Sequence, residues 1–143
     1  MRLRLLAIVL LAGTACGEDI AARAKLMGGW RLTEADGKNA DTWTIEDKGA
    51  GVLRVSNSQG DGKVSQFECN TTGRECSMKD SGKSAKVSLW FNGDKLVELE
   101  TRGREVLKRR FAIGEQADVL DVEVIPVVPE GKPEILHFRR LRQ

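Results

Sequence analysis

The chain has 143 residues, of which 41% are hydrophobic and 31% charged, and its formal net charge is +2 at pH 7. Two of its 23 basic residues, Arg2 and Arg4, lie in a leader that we expect to be removed, which leaves 21 basic against 21 acidic residues. A chain without a positive net charge lacks the electrostatic support that nucleic-acid binding needs, so that class is excluded. The length predicts one domain of ordinary size.

The first 15 residues have the pattern of an export signal. Residues 1–4 carry the two arginines, residues 5–12 are all apolar, and the small residues Gly13 and Ala15 follow. Eight apolar residues span only about 12 Å as a helix, which is far short of a hydrocarbon core of about 30 Å. We therefore interpret residues 1–15 as a signal peptide and not as a membrane span.

Cys16 follows this leader directly and is interpreted as a lipidation site. The pair Ala15-Cys16 resembles the end of a bacterial lipobox, which implies a diacylglycerol on the thiol, although Gly13 stands where that motif usually has leucine. Three cysteines in an exported chain leave one unpaired, and a lipid on Cys16 would leave Cys69 and Cys76 to form a disulfide. The expected location is the bacterial cell envelope, periplasm-facing and lipid-anchored. The alternative is cleavage by a general signal peptidase and secretion to the periplasm without lipid.

After the leader, the sequence predicts one short helix and then only strands. Residues 16–27 read as a lipidated tether or short helix, ended by Gly28-Gly29. Residues 28–143 alternate apolar and polar residues, with turns rich in Gly, Asn, Asp and Pro at intervals of roughly ten residues. The predicted strands are 29–34, 42–46, 52–56, 64–70, 75–79, 84–91, 95–101, 105–113, 118–125 and 134–142. The fold class is thus all-β, an antiparallel up-and-down β-barrel of about 8–10 strands with a short N-terminal helix.

The alternation also predicts which side chains face the barrel interior. The expected inner set is Trp30, Leu32, Trp43, Ile45, Leu53, Val55, Phe67, Met78, Val87, Leu89, Phe91, Val97, Leu99, Leu107, Phe111, Leu120, Val122, Leu136 and Phe138. Cys69 and Cys76 share the apolar face of their strands, in keeping with a disulfide across a short turn. The same set of side chains could line a ligand cavity or fill the barrel completely.

The register of the last strands follows if their apolar faces are kept together. It requires a loop with an odd number of residues at 102–104 and one with an even number at 114–117. It also places the side chains of Glu98 and Glu100 on the outer face. Opposite charges on neighbouring strands then form a stabilising ladder on the outer face. Its expected pairs are Glu98–Lys108, Lys108–Glu123 and Arg110–Asp121.

Two arginines have the parity of the apolar face and are predicted to point inward. Arg109 lies between Leu107 and Phe111, and Arg140 follows Phe138 by two residues. The predicted strands carry no inward acid, and an uncompensated buried charge is costly. An anionic ligand head is therefore the hypothesis, with a register error, a position at the barrel mouth or stacking on Trp30 as alternatives.

The first and last strands carry a family resemblance. Gly28-Gly29-Trp30 matches a Gly-x-Trp pattern, a ten-strand meander follows, and the last strand contains "HFRRLR" (137–142). The chain thus resembles the lipocalin and fatty-acid-binding-protein superfamily. The resemblance implies that Trp30 closes one end of the barrel with Arg140 or Arg139 packed across it. It also implies that inward arginines such as Arg109 and Arg140 could hold a ligand carboxylate.

These observations give one leading function and one alternative. The leading function is an exported lipocalin-like lipoprotein that binds a small amphipathic or hydrophobic, fatty-acid-like ligand. The expected ligand-binding residues are Arg109, Arg140, Trp30, Phe111 and Phe138. The alternative is a structural or protein-interaction module of the envelope, an inhibitor or assembly factor with a filled barrel and no ligand, which would use an exposed Trp90 to meet its partner.

No enzyme, cofactor or metal site is expected. His137 is the only histidine, and it is predicted to be a surface residue with Glu123 as its cross-strand neighbour. No catalytic or phosphate-binding motif occurs in the sequence. Nothing near Cys69 and Cys76 would complete a metal site.

Overall fold

The computed structural model describes residues 16–34, 40–80 and 82–142. The predicted signal peptide, residues 1–15, lies outside the described residues, and so does the side chain of Cys16. Cleavage and lipidation therefore stay predictions. Among the described residues, no helix combines the length and the apolar character needed to cross a bilayer.

Ten antiparallel strands form a closed barrel, as the sequence predicts. Each strand pairs with its neighbours in the chain, and the first strand pairs with the last, so the barrel closes between β1 and β10. The elements are α1 (Cys16–Leu26), β1 (Gly28–Leu32), β2 (Thr42–Gly49), β3 (Val52–Ser58), β4 (Val64–Asn70), β5 (Thr72–Asp80), β6 (Lys83–Asn92), β7 (Lys95–Arg102), β8 (Glu105–Ile113), β9 (Val119–Val128) and β10 (Glu134–Arg140). The predicted all-β, up-and-down barrel with a short N-terminal helix is confirmed.

The barrel has a closed end and an open end. At the closed end, helix α1 lies against the barrel: Leu26 is fully buried in the core, and the indole N–H of Trp30 donates to the Leu26 carbonyl at 3.1 Å. Arg23 of α1 donates to Asp47 at 2.8 Å and to Thr71 at 3.2 Å. The turns at 50–51, 93–94 and 114–118 belong to this end, and those at 59–63, 103–104 and 129–133 belong to the open end.

The predicted disulfide between Cys69 and Cys76 is present in the structure. It joins β4 to β5, and the two Cα atoms lie 5.7 Å apart. Cys69 is buried beside the core, on the same face as Phe67. The bond therefore holds the hairpin of these strands at the closed end.

The loop predicted at residues 102–104 is wrong, and the error changes the register. The hairpin of β7 and β8 needs only two turn residues, because Arg102 pairs directly with Glu105. Gly103 is the first turn residue, with φ +57°, the conformation that a type II′ hairpin turn requires there. Because side chains alternate, a slip of one residue exchanges the inner and outer faces of a strand.

Strand β7 consequently presents Leu96, Glu98 and Glu100 to the interior, not Val97 and Leu99. Glu98 lies opposite Arg109, and the two glutamates are among the buried residues. Val97 is buried as well, but it lies on the outer face, paired with Trp90 and Arg110. The prediction that no acid points inward is therefore wrong.

The predicted outer charge ladder is also wrong in its pairs. Lys108 lies opposite Leu99 and Ile125, and Asp121 lies opposite Ala112 and His137. One ion pair of this kind does form, between Arg110 and Glu123 at 3.2 Å. It is half-exposed, so its contribution to stability is small.

The remaining strands keep their predicted inner faces. The confirmed core residues are Trp30, Trp43, Ile45, Leu53, Val55, Phe67, Met78, Val87, Leu89, Phe111, Leu120, Val122 and Phe138, with Leu32, Phe91 and Leu136 packed against them. Most of this core lies away from the open end, and the space left at the open end is the candidate site.

Candidate functional site

A cavity of about 360 Å³ occupies the open end of the barrel. Its mouth includes the exposed residues Gln59, Glu105, Val128 and Pro129. Below the mouth, the wall is partly apolar and partly charged. The described residues of that lower wall are Trp43, Val55, Asn57, Ser65, Phe67, Met78, Asp80, Glu98, Glu100, Arg102, Val106, Leu107, Arg109 and Pro126.

Arg109 lies inside the barrel, as its parity predicts, and is held by two carboxylates from β7. Its Nη1 donates to Glu98 Oε1 and to Glu100 Oε2, both at 2.8 Å. Its guanidinium carbon lies 5.3 Å from the ring centroid of Trp43, within reach of a cation–π contact. Trp43 in turn packs edge-on against Phe111, with the ring centroids 5.1 Å apart. The buried charge of Arg109 is therefore compensated within the chain.

Two further residues extend this group along the wall. Arg102 donates from Nε to Glu100 Oε1, and from Nη1 to Asp80 Oδ2 at 2.7 Å. We call Asp80, Glu98, Glu100, Arg102 and Arg109 the inner charged cluster. It joins β5, β7 and β8 and contains three acids against two arginines.

Glu98 is the member of the cluster that has a buried oxygen without a hydrogen bond in the described part of the chain. Its side chain is only 1% exposed, and its Oε2 has no hydrogen-bond partner among the described residues. Burial raises the pKa of Glu98, and the nearby charge of Glu100 adds to this, while the attraction of Arg109 only partly opposes it. A raised pKa favours the protonated carboxyl, which brings the cluster close to electrical balance.

Glu100 and Arg109 keep their charges. Burial by itself would raise the pKa of Glu100, but the hydrogen bonds and charges of Arg109 and Arg102 outweigh it, and the pKa lies below its usual value. Burial would likewise lower the pKa of Arg109, but its two carboxylate partners raise it. The cluster thus contains two ion pairs of Glu100, one with each arginine, and one acid, Glu98, that is poorly stabilised as an anion.

The five predicted ligand-binding residues do not come together in one site. Arg109 alone lines the cavity; Trp30, Phe111 and Phe138 are fully buried in the core, and Arg140 lies at the closed end. The sequence groups inward residues by face, whereas their distance from the cavity also depends on their height along the barrel, so ligand contacts by the other four stay a prediction.

Arg140 packs across Trp30, which is the geometry that the family resemblance implies. Its guanidinium carbon lies 4.0 Å from the ring centroid of Trp30. It donates to the backbone carbonyls of Met27 at 2.7 Å and Lys25 at 2.8 Å. Arg139 is exposed, so Arg140 is the arginine that packs across Trp30.

Sequence reasoning missed the four cavity residues that surround Arg109, namely Asp80, Glu98, Glu100 and Arg102. The available signal was the pair Gly103-Arg104, since a glycine in the first of two turn residues is typical of a tight hairpin. A two-residue turn would have put Glu98 opposite Arg109.

His137 and Trp90 lie away from the cavity. His137 is a half-exposed surface residue, as predicted, but its neighbour is Asp121 at 2.6 Å from Nδ1 and not Glu123. Trp90 is half-buried between Thr72 and Val97 on the neighbouring strands, and a partner there stays a prediction. Among the described residues, no group of His, Cys, Asp and Glu side chains could hold a metal ion.

Comparison with known proteins supports the fold. No protein-family model and no curated protein matches the sequence. Among solved structures, a secretory abundant heat soluble protein of Ramazzottius varieornatus is similar, with a TM-score of 0.68, 12% identity and coverage of 82% of this chain and 96% of that chain. Fatty-acid-binding protein 1 of Echinococcus granulosus gives a TM-score of 0.68, 7% identity and coverage of 83% and 99%.

A third similar structure is the fatty-acid-binding protein of Schistosoma mansoni in complex with arachidonic acid, with a TM-score of 0.68, 15% identity and coverage of 85% and 99%. The chain therefore has the same fold as these proteins, a closed ten-strand antiparallel barrel. The predicted resemblance to the lipocalin and fatty-acid-binding-protein superfamily is thus confirmed at the level of fold.

Proposed function

We propose that this protein is an exported binding protein, not an enzyme, and that it holds a small hydrophobic or amphipathic molecule in the cavity at its open end. The observation that carries the proposal is the cavity itself. Its volume of about 360 Å³ lies within the range of small-molecule sites, roughly 300–1,000 Å³. Its wall offers an apolar surface for a tail and polar groups for a head. The described fatty-acid-binding proteins of the same fold support this choice.

The alternative, a structural module with a filled barrel, is less well supported. A filled barrel would leave no space at the open end, whereas the core residues leave a cavity that reaches the surface through exposed mouth residues. Trp90, the residue on which that alternative relied, is half-buried against its own sheet.

The proposal includes lipidation of Cys16 and a periplasm-facing position at the bacterial cell envelope. Its support is the basic, apolar and small-residue leader that ends at Ala15-Cys16, together with the disulfide that uses the other two cysteines. Cys16 begins the helix that packs on the closed end. A lipid there would leave the mouth of the cavity at the opposite end of the barrel. Intact-mass analysis of membrane fractions tests this step, and a mature form with an unmodified Cys16 would contradict it.

The binding proposal is tested by native mass spectrometry of the mature protein, looking for a co-purified small molecule. A matched pair of variants shows whether the molecule occupies the cavity. Ser65 lines the cavity wall, whereas Ser77 is exposed on the outer face of β5. We expect Ser65→Trp to abolish the added mass and Ser77→Trp to keep it. An added mass that persists in Ser65→Trp would refute binding in this cavity.

A further inference from the structure

The charges of the cavity wall indicate what kind of head group a ligand carries. Among the described lining residues there are four acids, Asp80, Glu98, Glu100 and Glu105, but only two cations, both arginines, and neither lysine nor histidine. With all groups ionised, the wall has two negative charges in excess. Such a wall attracts cations and repels anions.

Both arginines are already bonded to carboxylates of the chain. Arg102 joins Glu100 to Asp80, and Arg109 donates to Glu98 and Glu100 from one nitrogen. A ligand carboxylate that approached Arg109 would lie beside these two glutamates. Like charges brought together at a desolvated contact disfavour binding strongly. The cavity is therefore a poor site for a free fatty acid, contrary to the expectation from parity.

One polar atom of a lining residue, Glu98, is buried and lacks a partner among the described residues. Glu98 Oε1 accepts from Arg109, but Oε2 is buried and receives no hydrogen bond from the described residues. Buried polar atoms are nearly always paired, and an exception calls for an explanation. A donor on a ligand would pair with Oε2 once the carboxyl turned toward the cavity, and a positively charged donor would also offset negative charge of the wall.

We infer that the cavity binds an amphipathic molecule with a protonated amine as its head group, which donates to Glu98 Oε2 while the apolar tail packs on residues such as Phe67, Met78 and Leu107. This inference rests on the proposed function, because it specifies the ligand of the same cavity.

Binding of an ammonium group beside Glu98 would also displace a proton. Glu98 has a raised pKa in the free protein, with Arg109, Glu100 and Arg102 as the charged groups around it. An ammonium group takes the position that a proton would otherwise fill on Oε2. Whatever proton Glu98 holds in the free protein is exchanged for the ammonium group and released to the buffer, so charge and atoms balance.

The test compares three ligands with one tail: n-octylamine, n-octanol and octanoate, titrated calorimetrically into the mature protein at pH 7. We expect octylamine to bind at least about tenfold more tightly than octanoate. We also expect its apparent heat to vary with the ionisation enthalpy of the buffer, because a proton is released. Tighter binding of octanoate, or equal binding of octanol and octylamine, would overturn the inference but leave the proposed function standing. No binding of any of the three would contradict both.

A second arm uses Glu98→Gln, which keeps an acceptor for Arg109 and removes the acidic group. Glu68→Gln is the matched control, since Glu68 is exposed on the outer face of β4 and pairs with Arg54. Glu98→Gln should lose the preference for octylamine over octanol and the buffer dependence of the heat. Glu68→Gln should behave like the parent. An unchanged preference in Glu98→Gln would show that the amine is held elsewhere.

Discussion

The two ends of the barrel each contain an arginine beside a tryptophan, and they use the pair differently. At the closed end, Arg140 lies 4.0 Å from the Trp30 ring centroid. At the open end, Arg109 lies 5.3 Å from that of Trp43. Both arginines occupy inward positions of their strands, so sequence parity alone cannot distinguish them.

The partners of the two arginines make the difference. Arg140 donates to the carbonyls of Lys25 and Met27, where helix α1 ends. The last carbonyls of a helix lack intrahelical partners, and a cation there is also favoured by the helix dipole. These partners are neutral and cannot titrate. The contact of Arg140 with the end of helix α1 therefore does not depend on the protonation of a partner.

Arg109 instead binds Glu98 and Glu100, which can gain or lose protons, and it lies on the wall of a cavity. An inward arginine in a barrel is thus not by itself an anion site. Whether it serves as a seal, an ion-pair partner or a ligand contact depends on the groups that already satisfy it.

The largest expected effect comes from breaking the ion pair at the open end with Arg109→Met. The change leaves two buried glutamates without their shared cation, and removing one partner of a buried pair typically destabilises by about 3–5 kcal/mol. Urea unfolding at pH 7 measures it.

Arg110→Met is the control for this variant. Arg110 is the next residue in the chain but pairs with Glu123 on the outer face. Removing such a surface pair should lower the free energy of unfolding by only about 0–1 kcal/mol. Equal losses in the two variants would refute the distinction between a buried cluster and a surface pair.

The closed end can be weakened covalently by replacing Cys69 and Cys76 with serine. The bond closes a loop of about eight residues, so its loss should lower the free energy of unfolding by about 2.5 kcal/mol through loop entropy. Ligand binding should survive, because neither cysteine is among the described residues that line the cavity. Loss of binding in a variant that is still folded would show that the two ends are coupled.

A smaller effect is expected from Arg140→Met, which removes the seal between α1 and the barrel. Two charge-assisted hydrogen bonds and a cation–π contact are lost, which should destabilise by about 2 kcal/mol. Hydrogen exchange should rise mainly in residues 16–27, while the cavity is unaffected. Arg139→Met, on the exposed face of β10, is the matched control and should leave the exchange of α1 unchanged.

The sequence predicted the barrel well because most strands have one apolar face. It failed at β7, where Leu96 lies on one face and Val97 and Leu99 on the other. For a strand considered alone, placing the charged Glu98 and Glu100 on the outer face costs less free energy than burying them. It is wrong in the folded chain, because Arg109 on β8 compensates them, and pairing between strands is not visible in one strand's pattern. The cavity could not be predicted either, since its volume depends on how closely the inner side chains pack.

The smallest expected effect is a pH-dependent gain of stability in Glu98→Gln. Burial raises the pKa of Glu98 in the folded state, so as pH rises above the ordinary glutamate pKa of about 4.3 the unfolded chain releases a proton that the folded chain retains. The wild-type free energy of unfolding therefore falls with rising pH through this group, and a glutamine has no such loss. The lowered pKa of Glu100 acts with the opposite sign, but it is present in both proteins and cancels in their difference.

We expect Glu98→Gln and the parent to be equally stable at pH 4. At pH 7 we expect the variant to be more stable, by less than the loss in Arg140→Met. Urea unfolding at both pH values measures it, with Glu68→Gln as the control that should show no such divergence. A variant that is less stable than the parent at pH 7 would mean that Glu98 is ionised and fully compensated by Arg109.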